Sequence, residues 1–135
     1  MGAFEYRQAE EIRDRLQAHG VRYLFIGKSG AILLGFPDTT QDADLFVEKT
    51  TGNCRELVMA LRELGFALTD NQAAEILRGK DFVQLKNGPF DLDLVFAPDG
   101  IERFEDAWNR RAEIEGFPVC HIDDIIASKA ATNRQ

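Results

Sequence analysis

The chain has 135 residues, a hydrophobic fraction of 44% and a formal net charge of −7. That length fits one domain and leaves little room for a second, and apolar residues in separated runs suit a globular core, not disorder. No apolar stretch approaches the roughly 18 residues of a spanning helix. The acidic, amphipathic N-terminus has no apolar signal region, so the expectation is a cytoplasmic protein with no membrane attachment. The acidic balance excludes a broad electrostatic footprint for duplex nucleic acid, although carboxylates gathered for a metal ion would produce the same balance. Cys54 and Cys120 are the only cysteines. Their isolation argues against a zinc site or a disulfide framework and for two small, semi-buried side chains.

Residues 4–19 predict a helix, with Ala9, Ile12 and Leu16 on one face and Glu10, Arg13, Asp14 and Gln17 facing out. His19 and Gly20 close it. Residues 21–26 form a short apolar run with aromatic and branched side chains, a buried strand. Gly27-Lys28-Ser29-Gly30 breaks that strand, and residues 31–34 start a short helix. A loop with Pro37 covers 35–41, after which 42–47 alternates, Ala43, Leu45 and Val47 on one face and Asp42, Asp44 and Phe46 on the other. Residues 54–64 predict a second amphipathic helix ended by Gly65, and 66–69 a short strand. Residues 82–85 and 90–96 flank Lys86-Asn87-Gly88-Pro89 and read as a hairpin. Ile101, Phe104 and Trp108 mark another helix, 117–122 a last strand, and Asp123 and Asp124 open a closing helix through Lys129. This order predicts an α/β (α+β) domain with a mixed sheet flanked by helices.

Asp42-Ala43-Asp44 is the first group of residues with chemistry in it. Side chains two apart on a strand share a face, roughly 6.5–7 Å apart along the chain. Two such carboxylates repel when ionised, and a divalent cation relieves the repulsion; Mg²⁺ prefers a few carboxylates plus phosphate oxygens. Asp91-Leu92-Asp93 repeats the arrangement on a second strand. If the two strands neighbour each other, up to four carboxylates meet on one patch; the plainer alternative is a hairpin with charges on its wet side. Gly27-Lys28-Ser29 is not a P-loop: that motif needs a glycine five residues earlier, where Arg22 stands. A glycine turn opening a helix can nonetheless present backbone N–H groups to an anion. His19 and His121 read as helix-end or solvent-facing residues, and no serine or cysteine has a visible base partner.

The stretch Ile26-Gly27-Lys28-Ser29-Gly30-Ala31-Ile32-Leu33-Leu34-Gly35-Phe36-Pro37, followed by Thr40-Gln41-Asp42-Ala43-Asp44-Leu45-Phe46-Val47, resembles the signature of the DNA polymerase beta-like nucleotidyltransferases. That signature is an apolar strand, a Gly-Gly or Gly-Ser turn, a helix, and a strand bearing two carboxylates one residue apart. More narrowly, the chain resembles the compact bacterial branch with abortive-infection and toxin–antitoxin nucleotidyltransferases. Phe104-Glu105-Asp106-Ala107-Trp108 and Ile122-Asp123-Asp124-Ile125-Ile126-Ala127-Ser128-Lys129 are similar to that branch as well. The resemblance covers residues 20–133. Lys28 departs from it, standing where the branch has a second Gly or a Ser. Relatives also continue beyond the counterpart of Gln135, which leaves a minimal domain over 1–135, a truncated one, or one completed by a partner as alternatives.

The resemblance implies a metal-dependent nucleotidyltransferase of the two-metal type, moving a nucleoside monophosphate from a triphosphate such as ATP to an acceptor hydroxyl on RNA, protein or a small molecule. It implies that Asp42, Asp44 and Asp93 are catalytic and bind Mg²⁺ or Mn²⁺, with Asp91 as the other candidate for the third carboxylate. Gly27, Lys28, Ser29 and Lys129 would bind the nucleotide. The alternative is a module of the same fold, such as a toxin–antitoxin component, that binds a nucleotide or a protein partner without turnover.

Overall fold

The computed structural model describes residues 4–132 apart from 99 and 102, with the side chains of 131 and 132 also left out. The first helix, α1 (Tyr6–Ala18), buries Ala9, Ile12 and Leu16 as their spacing requires. Strand β1 (Tyr23–Phe25) is buried throughout. Helix α2 (Gly27–Leu33) starts earlier than expected, because Gly27 to Gly30 form its first turn and not a loop ahead of it. Gly27 sits at φ +64°, the left-handed region that lets the chain pass from strand to helix with only Ile26 between them. Strand β2 (Asp42–Val47) follows, then α3 (Thr51–Leu64), capped at its start by the Thr50 side chain, which accepts from the Asn53 N–H at 3.3 Å.

Residues 66–69 do not form the expected strand. Phe66 packs edge-on against Phe90 with ring centroids 5.3 Å apart, and Thr69 and Gln72 make a capping box that opens α4 (Asp70–Leu77), a helix absent from the sequence expectation. The hairpin is present as β3 (Phe82–Leu85) and β4 (Asp91–Val95). After α5 (Phe104–Arg110), a second hairpin joins β5 (Ala112–Ile114), also unanticipated, to β6 (Phe117–Val119). The last helix, α6 (Ile122–Thr132), takes up residue 122, which had been assigned to the preceding strand.

The strands form one mixed sheet in the order β3-β4-β2-β1-β6-β5. β1 pairs antiparallel with β2 and parallel with β6; β2 pairs parallel with β4. Leu45, Leu92 and Leu94 are fully buried in the same core cluster as Leu57 and Leu61 of α3. Side chains alternate across a strand, so the residues between them project to the opposite face. Among the described residues no helix is long and apolar enough to cross a membrane.

Candidate active site

The parallel pairing of β2 with β4 sets Asp42 opposite Asp91 and Asp44 opposite Asp93. In-register neighbours share a face, so four carboxylates from two Asp-x-Asp segments form a ladder two rungs deep. The outer rung, Asp42 and Asp91, is partly exposed, whereas Asp93 on the inner rung is buried. Burial governs the charge state of that inner rung. Desolvation is the main reason the Asp44 carboxyl is pushed up to about 8, helped by the charge of Asp93, a hydrogen bond to Asp93 and the charge of Asp42. Asp93 is raised as well, again chiefly by burial and then by Asp42, with hydrogen bonds from Asp44 and Gln84 pulling the other way. Burial thus raises the proton affinity of both inner-rung carboxyls above that of an ordinary carboxylate.

Asp44 is fixed from α2. Its backbone N–H donates to the Ser29 hydroxyl at 3.0 Å, and that hydroxyl donates to the Ile26 carbonyl at 3.0 Å. Ser29 is fully buried, so its side chain is committed to bracing β2, and of the Gly27-Lys28-Ser29 turn only Gly27 and Lys28 line the cavity. Gly27 lies against the carboxylate itself: a Cβ there would stand 2.7 Å from Asp44 Oδ2. Glycine is thus required twice over at this position, by its φ and by the space Asp44 occupies.

Asp44 opens on a cavity of about 650 Å³. Its walls include Ile26, Phe82, Val95 and Ile125, with Lys28 and Lys129 at the lining as cations. Lys28 and Lys129 come from α2 and α6, and both are exposed. A bidentate pair between Arg110 and the buried Asp124, at 3.0 and 2.9 Å, ties α5 to α6. Asp38 and Asp81 also line the cavity, and sequence reasoning gave them no role. It also overlooked Lys86, whose ammonium lies 3.9 Å from Asp42 and 3.6 Å from Asp91. As a residue of a hairpin turn, Lys86 carried no chemical signal until the strand register put the turn beside the outer rung.

The inner rung suits a divalent cation. One oxygen of Asp93, Oδ1, is buried and has no hydrogen-bond partner, and a hard cation satisfies such an oxygen while removing the repulsion. Among the described residues no three His, Cys, Asp or Glu side chains already surround a single point. The donor set is therefore appropriate, but not closed around an ion in advance.

No family model matches the chain, and no curated relative matches it. Among solved structures it is similar to TM1012 from Thermotoga maritima, whose crystal structure is described as that of a "putative nucleotidyltransferase". The TM-score is 0.67 at 19% identity, and the match covers 95% of this chain and 84% of that one. At this identity the likeness shows a shared fold, the mixed sheet with flanking helices of a nucleotidyltransferase-like domain.

Proposed function

We propose that the protein transfers a nucleoside monophosphate from a nucleoside triphosphate to an acceptor hydroxyl, in a reaction dependent on Mg²⁺ or Mn²⁺. The observation that supports this reading is the inner rung: two mutually repelling carboxylates, Asp93 buried and Asp44 half-buried, with Asp44 in the wall of a cavity that also presents two lysines. Asp44 and Asp93 hold the divalent ion, flanked by Asp42 and Asp91. When bound, that ion stabilises negative charge developing on the phosphate and leaving group. Asp93, beside the ion, accepts the proton of the acceptor hydroxyl as general base. Lys28 and Lys129 offset triphosphate charge as point cations, and Gly27, which lies against Asp44 and lines the cavity, would bring the turn's backbone close to a phosphate. The apolar wall of Phe82, Val95 and Ile125 suits a base or sugar face. The acceptor class remains RNA, protein or small molecule, and a bacterial toxin–antitoxin role belongs to the same proposal.

The competing reading is a nucleotide- or partner-binding module without turnover, consistent with a carboxylate set that is not closed around one point. Incubation with each of the four triphosphates and Mg²⁺ or Mn²⁺, followed by intact mass measurement of the protein and of candidate RNAs, separates the two. A mass gain of one nucleoside monophosphate is expected. Triphosphate binding with neither a mass gain nor release of pyrophosphate, the leaving group of transfer to any acceptor, would establish the binding module instead.

A further inference from the structure

The two rungs of the carboxylate ladder are neutralised differently. On the outer rung, Lys86 places its ammonium between Asp42 Oδ1 and Asp91 Oδ2, at 3.9 and 3.6 Å. The position follows from the hairpin: Leu85 pairs with Leu92, so the next residue, the first of the turn, falls beside Asp91. On the inner rung, neither Asp44 nor Asp93 forms a salt bridge among the described residues. There Asp93, 8% exposed, keeps a buried Oδ1 without a partner.

We propose that Lys86 is the resident cation of the outer rung, so that the ladder takes one divalent ion, at Asp44 and Asp93, and not two. This rests on the metal-dependent reading above and refines it. An incoming dication is drawn to a carboxylate oxygen that no other group satisfies. The inner rung offers a buried, unpartnered oxygen, while the outer rung offers carboxylates already screened by an ammonium that repels a second cation. A lysine ammonium is a compact point charge, so it can hold the outer carboxylates together without a coordination geometry of its own. Its side chain is 55% exposed, which means that charge, not packing, keeps it there. Lys86 is accordingly a positioning residue, acting through Asp42 and Asp91.

The test is a Mn²⁺ titration, with free Mn²⁺ counted by electron paramagnetic resonance, on wild type, Lys86→Met, Asp42→Asn and the double variant. Met keeps the length of the stem and drops the charge, and Lys86→Gln repeats the measurement with a polar side chain. The thermal midpoint of each variant checks that it is folded. One bound ion is expected for wild type and for Asp42→Asn. Lys86→Met and Lys86→Gln should gain a second ion, and adding Asp42→Asn to Lys86→Met should return the count to one. Two ions on wild type, or one on both Lys86 variants, overturns the inference and leaves metal dependence standing. No Mn²⁺ bound by any of these proteins removes both the inference and the metal-dependent reading.

Discussion

β1 and β2 run antiparallel, and each end of the pair carries a polar cluster. At the end formed by residues 22 and 48, Asn53 donates to the carbonyls of Arg22 and Glu48 at 3.0 and 2.8 Å and accepts from the Arg22 N–H at 2.7 Å. The Arg22 guanidinium reaches Glu48 at 2.9 Å and lies over the Trp108 ring, 4.7 Å from its centroid. All of these groups have partners. At the other end, Asp44 and Asp93 face each other with raised proton affinities, and an Asp93 oxygen is left without a partner. A fully satisfied network rigidifies a fold, whereas an unsatisfied one lowers stability and keeps its atoms available to a ligand. Two strands thus carry a knot that holds and a site that waits.

Asp93→Asn is the sharpest way to break this contrast. It keeps the size of the side chain and removes a charge. Turnover should fall by at least about 10²-fold, roughly 2.7 kcal/mol at 1.36 per decade, with nucleotide affinity changing far less. Without metal the variant should melt at a higher temperature than wild type, because the repulsion on the inner rung is gone. Single-turnover transfer, equilibrium nucleotide binding and a thermal scan measure the three effects. Equal transfer rates for variant and wild type would pass the role to Asp91.

Asn53→Ala should do the reverse, injuring stability and sparing chemistry. It strands the Arg22 N–H and removes two further bonds, from the Asn53 amide to the carbonyls of Arg22 and Glu48, which keep the N–H groups of Glu48 and Thr50. A loss of roughly 2–3 kcal/mol is expected in denaturant unfolding, with transfer per folded molecule unchanged. A variant as stable as wild type would show that water replaces the side chain at no cost.

A further contrast is in pH dependence. Asp44 moves from an ordinary 3.8 when unfolded to about 8 when folded. The native state therefore binds the proton more tightly, and the contribution of Asp44 to stability is complete below about pH 4. It is lost as pH rises towards 8 and is constant above that. Asp44→Asn should flatten this part of the stability profile. Because protons and Mn²⁺ compete for the same oxygens, the gain in thermal midpoint from added Mn²⁺ should grow across the same interval. A Mn²⁺ effect that shrinks as pH rises would contradict the assignment.

The period-two alternation of 42–47 and 90–96 was enough to place each Asp pair on the face opposite Leu45, Leu92 and Leu94. It could not give the register between those strands, since that depends on how α3 and α4 carry the chain across to β3. Nor could it give Lys86, whose meaning exists only once the register does. Helix α4 was missed because only Ala73 and Ile76 of its eight residues are buried; the Thr69–Gln72 capping box was the available signal. β5 is three residues long, too short for alternation to declare itself. Gly27-Lys28-Ser29 was legible as something special, but its chemistry divides. Gly27 makes room, Lys28 faces the cavity, and the Ser29 hydroxyl is spent inside the protein.

That last bond has a consequence for how the chain can be altered. Asp44 takes its position from the start of α2 through Ser29 and from the residue that follows β1 through the Ile26 N–H, which donates to the Asp44 carbonyl at 3.0 Å. The intervening residues 35–39 are exposed and contribute neither bond. Their length and composition are thereby uncoupled from the placement of the carboxylate. This makes the segment a natural port for grafting: a reporter peptide or an affinity tag inserted there should leave the acid where it is, and exchanging the segment, with Asp38 at the rim of the cavity, offers a way to vary what the cavity admits without rebuilding its floor.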